Sequence, residues 1–186
     1  MHPDEFLNRW APLRTVRFKP NVVDSANLPI ATKAFLIHAG LPESATLYKS
    51  PPIVIVPFDD SPVSFELQRA AYRFLDNVHD RLLALCELRH LPYLGLNMDF
   101  GYSEILCIEE ITGSVWYRRS DKDVLEFVNS SLPTYCQFLV ELHEIKIPHG
   151  RNDMVDAWEE RLRLLDPPAM QNGENFWPLR VDDMRD

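Results

Sequence analysis

Between Glu104 and Leu139 the chain reads EILCIEEITGSVWYRRSDKDVLEFVNSSLPTYCQFL, and no other stretch restricts the fold as tightly. Two apolar runs are hinged at Thr112-Gly113, a third ends at Val128, and Asn129-Ser130-Ser131 then opens a different periodicity. Ile105 to Ile108 is apolar at consecutive positions, as a central strand covered on both faces must be. Ile111-Thr112-Gly113-Ser114 has the chemistry of a turn, so Val115 to Arg118 returns along the sheet, and Val124 to Val128 adds another strand. From Leu132 to Ile145, Tyr135, Phe138, Leu139 and Leu142 fall on one helical face. A hydroxyl of Ser130 or Ser131 is placed to accept from that helix's first free amides. Strands run together and then helices, which is the order of an α+β fold.

The flanks add shorter pieces. Pro3 suits the first position of a helix through Trp10, and Arg14 to Phe18 alternates as an edge strand would. Leu28 to Ala39 reads as a helix with Ile30, Ala34, Phe35 and His38 on one face, stopped by Gly40 before Pro42. Ile53 to Val56 is a β-branched run between prolines, suited to a short strand. From Leu67 the apolar spacing at Ala71, Phe74, Leu75, Val78, Leu82 and Leu85 favours one helix. A break near Asn77 would instead leave Leu82 to Leu88 as a strand. Tyr93 to Asn97 begins the sheet core. Asp153 caps a helix to Leu165 that buries Val155, Trp158, Leu162 and Leu165, and Pro167-Pro168 ends it. The tail docks through Phe176 and Trp177, whose rings are costly to leave in water. No repeat, low-complexity tract or linker divides the 186 residues, so one domain over 1–186 is expected, a mixed, mainly antiparallel sheet flanked by helices.

Net charge narrows the partners. The formal charge is -9 with a pI near 5.1, which opposes the counterion release that drives nucleic-acid binding. Residues 1–58 hold four acids against six bases, so the remainder holds 24 against 13. Two windows lack Lys and Arg altogether: residues 50–68, with Asp59, Asp60 and Glu66, and residues 90–117, with Asp99, Glu104, Glu109 and Glu110. Such a field steers basic partners, although like charge also simply keeps proteins dispersed. Three cysteines, Cys86, Cys107 and Cys136, are odd in number and set in apolar runs, as buried thiols of a reducing compartment are. The first ten residues carry His2, Pro3, Asp4 and Glu5 rather than a secretion signal, and no apolar run approaches a membrane span. A soluble, cytoplasmic chain is expected.

Chemistry is thinly supported. Six glycines without a cluster make no phosphate-cradling loop, and Ser103 and Ser114 lack the strand-to-helix elbow of a nucleophile. His79, Cys86 and His90, with Glu87 beside them, are the best local metal set and would share a helix face, but a thiol among leucines is ordinary core. His143-Glu144 with His149 resembles a zinc-protease helix only superficially, because six residues and Pro148 separate the imidazoles. Asp59-Asp60 and Glu109-Glu110 are candidate carboxylate pairs, yet neighbours on a strand face opposite ways. Arg118-Arg119 pair more plausibly with Asp121 and Asp123 than with a phosphate. Trp116 suits either a sheet core or an interface anchor. Neither catalysis nor a cofactor is expected.

Several short motifs in order resemble the SUKH superfamily, in particular the fourth of its immunity-protein subfamilies. Leu28-Pro29, Thr32, Phe35-Leu36 and Gly40-Leu41-Pro42 resemble its N-terminal helix and GLP stop. Ile105 to Ile108 with Gly113 and Val115 matches its strand, turn and strand, and Phe127-Val128-Asn129-Ser130-Ser131-Leu132 its approach to a long helix. Phe176-Trp177-Pro178 resembles its C-terminal aromatic segment. The resemblance implies an α+β binding protein that protects bacteria by occluding the toxin domain of a polymorphic or contact-dependent system, often a nuclease. Relatives that regulate cell-wall synthesis or bind a translocon keep an adaptor role open. The expected contact residues are Asp59, Asp60, Glu109 and Glu110, with Trp116 or Tyr117 as aromatic anchors.

Overall fold

Three prolines start helices by fixing the backbone angle that a first turn needs: Pro3 in α1 (Pro3–Trp10), Pro20 in α2 (Pro20–Ser25), and Pro167 in a short helix near the C-terminus. The computed structural model describes residues 1–11, 13–45, 53–57, 82–90, 104–119, 124–145 and 151–185. Of three two-residue strands, β1 (Thr15–Val16) lies before α2, and β2 (Leu41–Pro42), which pairs antiparallel with it, follows α3 (Ile30–His38). The third, β3 (Ser44–Ala45), opens the main sheet. It continues through β4 (Ile53–Pro57), β5 (Leu82–His90), β6 (Glu104–Glu109), β7 (Val115–Arg119) and β8 (Val124–Asn129).

These six strands lie side by side in chain order, each antiparallel to the next. Helices α4 (Leu132–Ile145), α5 (Asn152–Leu165), α6 (Pro167–Gln171) and α7 (Phe176–Arg185) follow. An antiparallel sheet with helices before and after it in the chain, rather than alternating with its strands, is α+β, as expected.

Alternation along the strands splits the sheet into two faces. One face sends Leu83, Leu85, Leu106, Ile108, Val115, Tyr117 and Val128 into the main core. There they meet Phe6, Trp10, Phe35, Leu36, Phe138, Trp158, Phe176 and Trp177 from the helices. The opposite face carries a smaller cluster of Leu82, Ala84 and Cys107, joined by Ile105, Trp116 and Leu125. β6 is therefore apolar on both sides because both are covered, as its sequence required. Cys107 and Cys136 are buried free thiols.

Three sequence readings are corrected. The favoured helix continuing through Leu82 to Leu88 is instead strand β5, whose register to both β4 and β6 runs through those residues. A short apolar run fits either period, and only pairing partners decide between them. Residues 67–81 and Tyr93 to Asn97 lie outside the described residues. In α3 the buried side holds Thr32, Phe35 and Leu36, while Ile30 is 87% exposed. Asp153 is inside the first turn of α5, bound to Arg151 rather than capping. As expected, α5 ends at Leu165 ahead of Pro167-Pro168, and a separate short helix then begins at Pro167.

The helix launch at residues 129–131 is resolved between its two serines. Ser131 Oγ accepts from the Thr134 amide at 3.3 Å, and Thr134 Oγ1 accepts from the Ser131 amide at 3.1 Å. This reciprocal arrangement satisfies amides that a helix start leaves open. Ser130 turns elsewhere, to Asp166.

Candidate partner-binding surface

The β6–β7 hairpin closes because Gly113 adopts φ 73°, a left-handed conformation that costs a residue with a Cβ. The Glu109 amide donates to the Ser114 carbonyl and the Gly113 amide to the Glu109 carbonyl, both at 2.9 Å. Polar side chains then lace the turn. Thr112 Oγ1 donates to Glu109 Oε2 at 2.5 Å and Ser114 Oγ donates to the same oxygen at 3.0 Å. Trp116 Nε1 donates to Ser114 Oγ at 2.9 Å, and its ring meets Phe127 edge-on at 5.1 Å. Both hydroxyl bonds end on Oε2, so Oε1 of Glu109 accepts none from a described residue. Such donors hold a carboxylate still without cancelling its charge.

Glu110 leaves in another direction, accepting from the Asn27 amide at 3.2 Å and so tying the turn to the segment before α3. The divergence expected of adjacent carboxylates is present, and the pair does not share one proton or ion. Trp116 is half-buried on the face of the smaller cluster. Tyr117 points the other way, is 1% exposed, and packs on Phe176 with ring centroids 5.2 Å apart. It is core, and the expectation that it anchors a partner is corrected. Asp59 and Asp60 lie outside the described residues.

The metal candidates do not assemble as a helix face. Cys86 and His90 belong to strand β5, so four residues separate them along a strand at ~3.3 Å each and not one helical turn. His79 and His149 are outside the described residues. Among the described residues no group of three or more His, Cys, Asp or Glu is placed to hold a metal ion. His143 is exposed and lies against Trp10, ring centroids 5.2 Å apart.

A second ionic feature was not foreseen from the sequence. Glu141, 3% exposed on α4, receives Arg9 of α1 at 3.1 Å and Arg161 of α5 at 2.5 Å. Arg9 also donates to both carboxylate oxygens of Glu144, at 2.9 and 2.6 Å. Those bonds hold the Glu144 carboxyl below its usual range and raise the Arg9 guanidinium. The cluster clamps three helices together. An open groove of about 480 Å³ lies nearby, lined by residues of the α1 start and of α3, among them His2, Asp4, Ala34 and His38. No single-sequence signal marks either feature, because each joins segments distant along the chain.

The family model described as SUKH-4 immunity protein matches residues 3–183. No curated protein matches, and no solved structure does either.

Proposed function

The chain belongs to the SUKH-4 immunity protein family, and from that premise we propose that it is one SUKH-like domain that binds and neutralises a cognate secreted toxin domain in the cytoplasm. It acts by occupying the toxin rather than by catalysis. The match over residues 3–183 carries this reading.

The site's electrostatics support a basic target. Residues 90–117 contain neither Lys nor Arg, and within them Glu109 is fixed by Thr112 and Ser114 with Trp116 beside it. A nuclease must present a cationic groove to polyphosphate. An acidic protein meets that groove with long-range attraction and competes with the substrate. We assign the contact to Glu109, Glu110 and Trp116, with Asp59 and Asp60 adding charge from the other base-free window.

Co-expression with the toxin domain of the adjacent gene tests the reading. Growth is expected to be restored, and a purified complex is expected at micromolar concentration. Continued toxicity with both proteins present and no complex would remove it. Capture of a housekeeping protein instead would favour an adaptor.

A further inference from the structure

The β6–β7 hairpin aims all its side-chain hydroxyl protons at a single atom. Cys107 faces Trp116 across the two strands, and Glu109 and Ser114 lie two residues nearer the turn, so all four share one face of the sheet. The Ser114 amide donates to Thr112 Oγ1 at 3.1 Å, and that hydroxyl donates onward to Glu109 Oε2. Trp116 Nε1 donates to Ser114 Oγ, which donates to the same carboxylate oxygen. Each hydroxyl has one proton, so both chains run one way, and the two lone pairs of Oε2 are filled.

The other oxygen is open. Glu109 Oε1 accepts no hydrogen bond from a described residue, and unlike the unpaired Trp10 Nε1 it is not sealed from solvent. Among the described residues no Lys or Arg pairs with Glu109, and residues 90–117 contain neither. Trp116, half-buried and pinned edge-on by Phe127, has its N–H already engaged by Ser114. What the indole can still offer is ring surface, which attracts a cation and covers an apolar stem.

One open carboxylate oxygen beside an aromatic ring distinguishes between the two basic side chains. An arginine fork makes its strong contact through two parallel bonds, one to each oxygen, and here Oε2 is full. A lysine ammonium is a compact point charge on a long apolar stem and needs one oxygen only. We infer that the hairpin receives a single lysine of the toxin domain, its ammonium on Glu109 Oε1 and its stem along Trp116, with Thr112 and Ser114 as the positioning residues that make the site prefer Lys to Arg. The inference rests on the immunity reading and adds the chemistry of the side chain that is bound. A carboxylate already held in place also loses little freedom when the cation arrives.

The test measures affinity by titration calorimetry for the adjacent-gene toxin domain, each of whose lysines and arginines is replaced by alanine in turn. Against wild type, one lysine is expected to lose at least about tenfold in affinity. Against Glu109→Gln, the same replacement is expected to lose less than about twofold, because its partner is already gone. Changing that lysine to arginine is expected to weaken binding about fivefold against wild type. Against Thr112→Val combined with Ser114→Ala, which frees Oε2, that arginine penalty is expected to vanish. A purely structural role for the two hydroxyls would lower the thermal midpoint without changing this preference. Should the double variant fail to fold, Thr112→Val alone takes its place, since Thr112 is exposed, and the penalty is expected to shrink. Absence of any lysine coupled to Glu109, or an arginine coupled in its stead, overturns the inference and leaves the immunity reading intact. An arginine penalty that survives removal of the hydroxyls overturns it as well. Failure of the wild type itself to bind removes the immunity reading and the inference with it.

Discussion

A single methyl group is most consequential where the backbone is left-handed and crowded. Gly40 has φ 75°, and a Cβ there would sit 2.1 Å from the Val16 carbonyl oxygen, which belongs to the paired strand and cannot retreat. Gly113 has φ 73°, but its nearest contacts are the side chains of Thr32 and Pro29. Gly173 has nothing within 4 Å. The left-handed conformation alone costs about 1–2 kcal/mol. Urea unfolding should therefore rank Gly40→Ala as most damaging, at about 3 kcal/mol or more once the backbone clash is added. Gly113→Ala should follow at about 1–2 kcal/mol, and Gly173→Ala should be close to neutral; any other ranking contradicts this account. The sequence placed Gly40 at a helix stop and Gly113 in a turn, but the severity at Gly40 comes from Val16, on another element.

Protonation acts at the same scale. The Arg9 guanidinium keeps the Glu144 carboxyl below its ordinary value of 4.5. A group whose acidity is strengthened by folding contributes stability that is complete above the unfolded value and is lost as pH falls through the folded one. Denaturant midpoints measured from pH 6 downward should fall less steeply for Glu144→Gln than for wild type once below about pH 4.5. Parallel curves would contradict the assignment.

Elements are joined by polar side chains that the core cannot leave unpaired. Asp166, 3% exposed at the corner between α5 and α6, accepts from the Ser130 amide at 2.8 Å, Ser130 Oγ at 2.6 Å and Asn129 Nδ2 at 3.0 Å. Asn129 Oδ1 in turn accepts from Trp177 Nε1 at 2.8 Å. One network thus binds the end of β8, the start of α4, the α5–α6 corner and α7. Trp177 itself is fully buried against Phe138 and Trp158. Removing Asp166 strands a buried amide, so Asp166→Ala should cost about 3 kcal/mol in equilibrium unfolding. Combined with Asn129→Ala, the loss should fall short of the sum by about 1 kcal/mol or more. Additive losses would mean that the two residues act separately. The sequence announced a helix launch at 129–131 and a docking aromatic tail. It offered no sign that Asp166 would link them, because nothing local pairs residues 37 positions apart.

For the molecule as a whole, charge sets the rate at which a partner arrives. The excess of acids and the windows without Lys or Arg imply an attraction that reaches about one Debye length. The association rate with the toxin domain should fall about tenfold or more between low and high salt, with dissociation little changed. Stopped-flow fluorescence over a salt series checks this. Glu109→Gln combined with Glu110→Gln should flatten the slope, and an association rate indifferent to salt would remove steering from the proposal.

The sequence by itself determined the kinds of element from Glu104 to Ile145, their order and the α+β class. Turn chemistry and side-chain period act between near neighbours, so they survive without knowledge of the fold. Only the tertiary structure decided that residues 82–90 form a strand, that Tyr117 faces inward while Trp116 does not, and that α3 leaves Ile30 in solvent. Period fixes which residues share a face. Which face is covered depends on surfaces brought in from distant parts of the chain, and that choice exists only once they have packed.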